Sequence, residues 1–171
     1  LKVSMSISTK TVSKCGAQPV FVDIDIDTFN MSASSLSEKI EYVLKDGRFS
    51  PKAVIAVDLF GLPADYINIG HIAGKYGLKI IEDGAQGFGG TIEGKRACSF
   101  GDISTTSFFP AKPLGCYGDG GAVFTDDPEI DSLLKSLRFH GKGSDKYDNI
   151  RIGFNSRLDN IQAGILRIKL E

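Results

Sequence analysis

Apolar residues recur along the chain in two patterns, short continuous runs and longer stretches with helical spacing. Mainly apolar runs at 18–23, 53–59 and 78–81 predict buried strands, since strands covered on both faces are nearly unbroken apolar sequence. Positions three or four residues apart predict helices between and after these strands. Four helices are predicted, the last of which begins at Arg157. Their inward-facing residues are Leu36, Ile40, Val43 and Leu44 in the first; Ile67, Ile72 and Ala73 in the second; Ile130, Leu133, Leu134 and Leu137 in the third; and Leu158, Ile161, Ile165 and Ile168 in the fourth. The alternation predicts an α/β fold in which helices sandwich a mostly parallel sheet.

The segment 104–125 predicts two further strands joined by a loop rich in proline and glycine. Lys112 stands in this loop with a proline on either side, and the fixed φ of proline stiffens the backbone around it. Ligands of open α/β sheets gather at the carboxyl ends of the strands. Because Asp58, Asp83 and the segment 109–112 all follow predicted strands, we expect them to converge at one edge of the sheet.

The side chains at this predicted edge indicate pyridoxal phosphate chemistry. Lys112 supplies an amine for a Schiff base, and Asp83 supplies a carboxylate that can pair with a pyridinium nitrogen. Gln86 offers an amide to the same region, and the hydroxyl of Ser107 can bind a phosphate. Two alternatives stay open: Asp83 as a turn cap, which is common for Asp before Gly, and Lys112 as a surface lysine in a hairpin loop.

Composition and charge argue against several classes of function. The chain has 171 residues, of which 42% are hydrophobic and 24% charged, and this length suffices for one domain with a core. A net charge of −1 does not indicate nucleic acid or an anionic membrane as a partner, and no apolar run is long enough to span a bilayer. Cysteines at 15, 98 and 116 lack metal-site spacing and indicate free thiols in a reducing cytoplasm. With two histidines in the chain, we expect no catalytic metal.

Four segments occur in one order along the chain: 81–89, 107–115, 118–122 and 153–159, which read IEDGAQGFG, SFFPAKPLG, GDGGA and GFNSRLD. Together they resemble the DegT/DnrJ/EryC1/StrS family of pyridoxal-phosphate-dependent nucleotide-sugar aminotransferases. The resemblance implies the large, cofactor-binding domain of the fold-type I, aspartate-aminotransferase-like enzymes. On this basis residues 1–171 are expected to form most of that domain, with an earlier Gly-Thr phosphate loop and a small C-terminal domain outside them.

The resemblance also implies roles for single residues. Lys112 becomes the catalytic lysine that carries the cofactor, and Asp83 the partner of its ring nitrogen. Gln86 contacts the ring face and Ser107 the phosphate. Asn155 matches an asparagine that reaches the cofactor phosphate of the neighbouring subunit, which implies a homodimer with shared sites.

Arg157 matches a position that contacts the sugar nucleotide in some relatives. The alternatives are that Arg157 is a solvated residue at a helix start and that Asn155 is a helix N-cap. Departures from the family pattern are the absence of an aromatic stacking residue in the segment 1–9, where Val3 and Met5 stand, and Gly84 in place of the commoner alanine.

The activity implied by the resemblance is transfer of an amino group from glutamate to a nucleotide-linked keto-sugar in the cytoplasm. The segment 113–121 resembles enzymes of bacterial surface-polysaccharide pathways and favours a 3-keto UDP-sugar, and amination at carbon 4 and other nucleotides stay open as alternatives. A related sugar dehydratase is the first alternative, but that branch replaces the lysine with histidine, and Lys112 argues against it. The second alternative is a non-catalytic or truncated relative that binds a sugar nucleotide or a partner without turnover. A dinucleotide-binding fold is excluded because no Gly-x-Gly-x-x-Gly follows a predicted strand.

Overall fold

The computed structural model describes residues 7–145 and 147–171. The helices in these ranges are α1 (Ile7–Lys14), α2 (Ala33–Asp46), α3 (Tyr66–Tyr76), α4 (Pro128–Leu137) and α5 (Asn160–Lys169), with a 3₁₀ turn at Leu59–Gly61. The strands are β1 (Ala53–Val57), β2 (Lys79–Asp83), β3 (Thr91–Ile92), β4 (Lys95–Arg96), β5 (Ile103–Ser107) and β6 (Gly121–Phe124). The first two predicted helices, which contain Leu36 and Ile72, correspond to α2 and α3.

The central sheet has the strand order β1-β2-β5-β6. Strands β1, β2 and β5 are parallel, and β6 runs antiparallel to β5. Strands β3 and β4 form a separate antiparallel pair. The predicted mostly parallel sheet with helices is therefore confirmed, and its last strand reverses direction so that the glycine-rich loop joins β5 to β6.

The main hydrophobic core lies between α2, α3 and one face of the sheet. It consists of Leu36, Ile40, Val54, Ala56, Ala64, Tyr66, Ile69, Ala73 and Leu78. Side chains alternate across a strand, so Val54 and Ala56 face these helices together. Each fully buried Leu or Ile side chain contributes about 1.5–3 kcal/mol relative to an exposed one. This packing fixes β1 and β2, the strands that precede Asp58 and Asp83.

The strand predicted at 18–23 is wrong. Those residues have irregular backbone, and the nearest pairing is an isolated bridge between Ile24 and Met31. Phe21 is more than half exposed. The apolar sequence has no neighbouring strand among the described residues that could accept its backbone hydrogen bonds, and a strand needs such a partner.

Every predicted helix differs from the prediction in at least one residue: Leu44 in α2 and Leu133 in α4, both predicted to face inward, are exposed. In α3, Ile69 is fully buried and Ile67 is exposed, because the buried stripe runs through Tyr66, Ile69 and Ala73. Helix α5 begins three residues after Arg157 and buries Leu166. Its predicted inward-facing residues Ile161 and Ile168 are 77% and 75% exposed, since nothing in the described chain packs against that side.

No helix among the described residues is long and apolar enough to cross a membrane. All three cysteines are free thiols, and Cys98 and Cys116 are buried. Within 7–145 and 147–171, no group of three or more His, Cys, Asp or Glu side chains is arranged to hold a metal ion.

Candidate active site

Asp83 and Ser107 lie on the same face of the sheet at its carboxyl edge. Each is the last residue of its strand, and the register sets Asp83 beside Thr105, two positions before Ser107. Because side chains alternate along a strand, Ser107 shares the face of Asp83, whereas Glu82 points to the opposite face. The register thus brings the predicted carboxylate and the predicted hydroxyl to one face of the same edge.

The carboxylate of Asp83 is only partly engaged by the protein. Its Oδ1 accepts a hydrogen bond of 3.2 Å from the backbone N–H of Ala85, so the predicted turn cap is present. Its Oδ2 has no donor among the described residues. The capping role therefore leaves one carboxylate oxygen available to a ligand. Asp83 as a turn cap and Asp83 as a ligand-binding carboxylate are compatible interpretations.

Gln86 links the turn after β2 to the turn after β1. Its Oε1 accepts a hydrogen bond of 3.1 Å from the backbone N–H of Phe60. Phe60 adopts a left-handed backbone conformation with φ of 54° and exposes most of its ring. Since Phe60 engages only Oε1, the NH₂ group of Gln86 remains available as a donor.

Lys112 is half-buried in a tight turn of the loop between β5 and β6. Its backbone N–H donates to the carbonyl of Phe109 at 2.8 Å. The N–H of Phe109 donates to Ser107 Oγ at 3.2 Å, which leaves the hydroxyl hydrogen of Ser107 free to donate. In the described part of the chain, the Lys112 amine forms neither an ion pair nor a hydrogen bond.

Cys116 closes the base of this loop. Its side chain is fully buried, and its sulfur lies 3.0 Å from the carbonyl oxygen of Phe108 and 3.1 Å from that of Gly118. Its backbone N–H also donates to Phe108 at 2.8 Å. Cys116 is therefore a packed small side chain, and its thiol joins the two stems of the loop that carries Lys112.

Helix α5 holds the same loop from the other side, which the sequence did not reveal. The side chain of Gln162 accepts from the N–H of Tyr117 at 2.9 Å and donates to the carbonyl of Tyr117 at 3.1 Å. Lys169 Nζ donates to the carbonyl of Gly115 at 2.6 Å. These contacts join residues distant in sequence, and no local pattern around Gln162 or Lys169 distinguishes them from other polar residues on a helix.

Asn155 and Arg157 form an exposed pair before α5. Arg157 Nε donates to Asn155 Oδ1 at 2.9 Å, and the guanidinium lies 5.1 Å from the centre of the Phe139 ring. The N-cap residue of α5 is Asp159, so the alternative of Asn155 as the cap of that helix is wrong. The alternative of Arg157 as a solvated side chain agrees with its exposure.

On the opposite face, a fully buried carboxylate anchors the strands of the site. Glu82 accepts hydrogen bonds from the backbone N–H groups of Cys98, Phe100 and Gly101, of which the last two are 2.7 and 3.2 Å long. The hydroxyl of Ser104 donates a fourth at 2.7 Å. The sequence pattern indicated the neighbouring Asp83 as a candidate site residue and missed Glu82.

Asp58 lies beside Glu82 on this face. The hydroxyl of Tyr66 and the N–H of Ala64 donate to its Oδ1 at 2.7 and 3.0 Å. Burial raises the pKa of Asp58 to about 7; the hydrogen bonds from Tyr66 and Ala64 oppose this shift and nearby Glu82 adds to it. Burial and the Asp58 charge also raise the pKa of Tyr66, which keeps its hydroxyl a donor.

The described side chains fit pyridoxal phosphate. This cofactor needs an amine, a carboxylate for its ring nitrogen and hydrogen-bond donors for its phosphate. Lys112, Asp83 Oδ2 and the hydroxyl of Ser107 are uncommitted groups of these three kinds, and Asp83 and Ser107 share a face and an edge.

Comparison with known proteins also points to aminotransferases. The chain is 47% identical over 164 residues to UDP-2-acetamido-2-deoxy-3-oxo-D-glucuronate aminotransferase of Pseudomonas aeruginosa, covering 96% of this chain and 44% of that protein. It is 44% identical over 160 residues to UDP-N-acetyl-3-dehydro-alpha-D-glucosamine 3-aminotransferase of Acidithiobacillus ferrooxidans, covering 94% of this chain and 41% of that protein.

A crystal structure of a DegT DnrJ EryC1 StrS aminotransferase from Brucella abortus superposes with a TM-score of 0.95 at 53% identity, covering 98% of this chain and 45% of that one. The chain thus spans less than half the length of these relatives. Residues 3–171 match the family as a whole. The chain therefore belongs to the DegT/DnrJ/EryC1/StrS aminotransferase family.

Proposed function

We propose that this protein is a pyridoxal-phosphate-dependent aminotransferase that moves an amino group from glutamate to a nucleotide-linked keto-sugar, with Lys112 as the catalytic lysine. The family uses pyridoxal phosphate, and its substrates are nucleotide keto-sugars. The observation that carries the proposal is the uncommitted Lys112 amine, held on a clamped loop that begins at the edge shared by Asp83 and Ser107. Residues 1–171 would then supply most of the cofactor-binding large domain.

In this mechanism, Lys112 moves the proton of the reaction. Pyridoxal phosphate, when bound, supplies a ring that accepts the electrons of a broken carbon–hydrogen bond. The Lys112 amine would take the proton from the α-carbon of glutamate as general base. As general acid it would then deliver this proton to a carbon of the cofactor. In the second half of the cycle Lys112 moves a proton in the reverse sense, and the sugar carbon gains the amino group and a hydrogen.

Three neighbouring side chains would bind and orient the cofactor. Asp83 Oδ2 holds a proton on the ring nitrogen through a charge-assisted hydrogen bond, which is stronger than a neutral one. Ser107 donates its hydroxyl hydrogen to the phosphate. Gln86 would contact the ring, and its hydrogen bond from the N–H of Phe60 limits its rotation.

Asn155 and Arg157 are proposed to act between two copies of the protein. Asn155 would reach the phosphate of the partner's cofactor, and Arg157 would contact the diphosphate of the sugar nucleotide. Around them Ile150, Ile152 and Phe154 expose most of their apolar surface, Ile152 as much as 93%. Exposed apolar clusters of this kind mark interaction surfaces, which supports a homodimer with shared sites.

The substrate proposed here is a UDP-sugar with a ketone at carbon 3. Support comes from the names of the two curated relatives described above, which specify a 3-oxo and a 3-dehydro UDP-sugar. The three free thiols support a location in the reducing cytoplasm.

The test uses the full-length protein with added pyridoxal phosphate. We expect borohydride reduction to fix the cofactor mass on Lys112, and glutamate to be converted to 2-oxoglutarate in stoichiometric amount. Lys112→Ala should abolish both, whereas Lys52→Ala, which changes an exposed lysine remote from the edge, should change neither.

A panel of UDP- and dTDP-linked keto-sugars then tests the substrate. Amination of 3-keto UDP-sugars in preference to the others is the expected result. Binding of sugar nucleotides without 2-oxoglutarate formation, or fixation of the cofactor on another lysine, would contradict the proposal.

A further inference from the structure

The carboxyl group of Asp58 is incompletely satisfied in the core. The residue directly follows β1 and is 0% exposed. Oδ1 accepts two hydrogen bonds, from Tyr66 and Ala64, but Oδ2 has no partner among the described residues. An ionised carboxylate with an unpaired buried oxygen is strongly unfavourable, because it loses hydration without compensation.

Glu82 is the neighbour that can resolve this. The register pairs Ala56 with Glu82, so Asp58, two residues after Ala56, lies on the same face. Two adjacent buried carboxyl groups cannot both be charged at low cost. Glu82 already accepts four hydrogen bonds, whereas Asp58 Oδ2 accepts none, so the geometry places the proton on Asp58.

The other groups around the pair do not supply a positive charge. Tyr66 on α3 and Cys98 in the loop before β5 are neutral, since burial raises the pKa of the Cys98 thiol to about 11. Asp83 on the opposite face adds a negative charge. In the described chain no lysine or arginine forms an ion pair with Asp58 or Glu82.

Asp58 also supports the turn that carries the proposed cofactor contacts. A Cβ atom on Gly87 would lie 2.5 Å from Asp58 Oδ2, and one on Gly84 would lie 3.6 Å from it. The backbone of the turn therefore rests directly on the Asp58 carboxyl group. This turn connects Asp83 to Gln86.

We propose that Asp58 is a protonated positioning residue, whose Oδ2–H donates to Glu82 and whose neutral carboxyl group supports the turn between Asp83 and Gln86. Its importance for the reaction rests on the proposed function, because Asp83 and Gln86 are cofactor contacts only in that proposal. When Asp58 loses its proton to solvent, a second negative charge appears beneath the turn and displaces it.

The test compares Asp58→Asn, which is neutral and of the same shape, with Asp58→Ala, and uses Asp126→Asn as an exposed control. In the full-length protein without cofactor, infrared spectra should show a protonated carboxylic acid one pH unit below the Asp58 pKa of about 7 and not one unit above it. Asp58→Asn should lack this band, and Asp126→Asn should retain it.

Amide exchange at Gly87, whose N–H donates to Gly84 at 3.1 Å, reports the turn itself. We expect exchange in the wild type to accelerate several-fold as pH rises through this range, after correction for intrinsic rates. Asp58→Asn should remove the acceleration, and Asp58→Ala should give fast exchange throughout. Absence of the carboxylic acid band in the wild type, or equal exchange in all three proteins, would overturn the proposal.

These two measurements need no cofactor, so they separate the positioning role from the enzymatic one. If the band and the exchange behave as expected but Lys112 takes up no cofactor, the proton on Asp58 stands and the proposed function fails. If cofactor uptake is normal but the carboxylic acid band is missing, the proposed function stands and the proton on Asp58 is ruled out.

Discussion

The side-chain amide of Gln162 pairs with both backbone groups of Tyr117, 45 residues earlier in the chain. The two hydrogen bonds, 2.9 and 3.1 Å long, reproduce the pattern by which one strand edge binds another. Lys169 adds a bond to Gly115 from the same helix. The position of Lys112 thus depends on α5, although the two are distant in sequence.

Replacing Gln162 with alanine should loosen the Lys112 loop. The backbone N–H of Tyr117 loses its acceptor, and we expect a stability loss of about 1–2 kcal/mol for the two bonds. Hydrogen exchange at Tyr117 should accelerate, and the yield of cofactor fixed on Lys112 should fall. Gln18→Ala is the matched control, since Gln18 is exposed and its side chain donates to the adjacent carbonyl of Pro19. Unchanged exchange at Tyr117 would show that the amide pairing does not restrain the loop.

The stability of the protein should fall as pH rises through the titration range of Asp58. Burial raises the pKa of this carboxyl group from 3.8 to about 7, so the folded state holds a proton that the unfolded state releases. The contribution of the Asp58 proton to the free energy of unfolding is complete below pH 3.8 and is lost as the pH rises to about 7. The slope is at most about 1.4 kcal/mol per pH unit.

Urea denaturation of wild type and Asp58→Asn across this pH range measures the effect. The difference in free energy of unfolding between the two proteins should change in this window and level off above it. A constant difference at every pH would mean that Asp58 is ionised throughout.

Truncation of Glu82 should cost more stability than any exposed acid. Glu82→Ala leaves three backbone N–H groups and the Ser104 hydroxyl without an acceptor, and each unsatisfied buried donor costs about 1–3 kcal/mol. We expect loss of cooperative folding or a decrease above about 3 kcal/mol in chemical denaturation. Glu38→Ala, an exposed change in α2, should stay within about 0.5 kcal/mol. Similar losses for the two variants would contradict the anchoring role of Glu82.

Gly84 and Cys98 should behave as a coupled pair. A Cβ on Gly84 would lie 2.5 Å from Cys98 Sγ, so Gly84→Ala alone should destabilise by about 1–3 kcal/mol. Cys98 has φ of 68°, a conformation that suits glycine, so Cys98→Gly removes both the sulfur and the strain. In the double variant we expect recovery of most of the loss, measured as melting temperature in a double-mutant cycle. Additive effects would show that the thiol does not limit the space at residue 84.

The elements that the sequence predicted well have strong local signals. Strand β1 is a continuous apolar run, β2 contains the apolar pair Ile80 and Ile81, and α2 and α3 end at glycines with positive φ. The general rule for parallel sheets predicted that Asp58, Asp83 and the segment 109–112 share one edge, and the register sets Asp83 beside Thr105, two residues before Ser107. The roles of Asp83 and Ser107 toward the cofactor stay predictions.

The missed features depend on partners that local patterns do not encode. Residues 18–23 are apolar like a strand but have no neighbour to pair with in the described chain, and α5 exposes two isoleucines at helical spacing. Glu82, Asp58 and Gln162 gain their roles from contacts across 16 to 45 residues or from an adjacent strand. Sequence spacing shows which side chains share a face, but not which donors surround them.

The antiparallel pairing of β6 with β5 has a consequence for how this family member can vary. Ser107 pairs with Gly121, so the Lys112 loop starts and ends at the same paired position of β5 and β6. Extra residues inserted in this loop therefore lengthen the loop without changing the pairing of the two strands. One residue inserted within β5 would instead invert every side chain after it, turning the Ser107 hydroxyl toward the face that carries Glu82. Natural length variation should therefore be tolerated around the lysine and forbidden in the strand that leads to it.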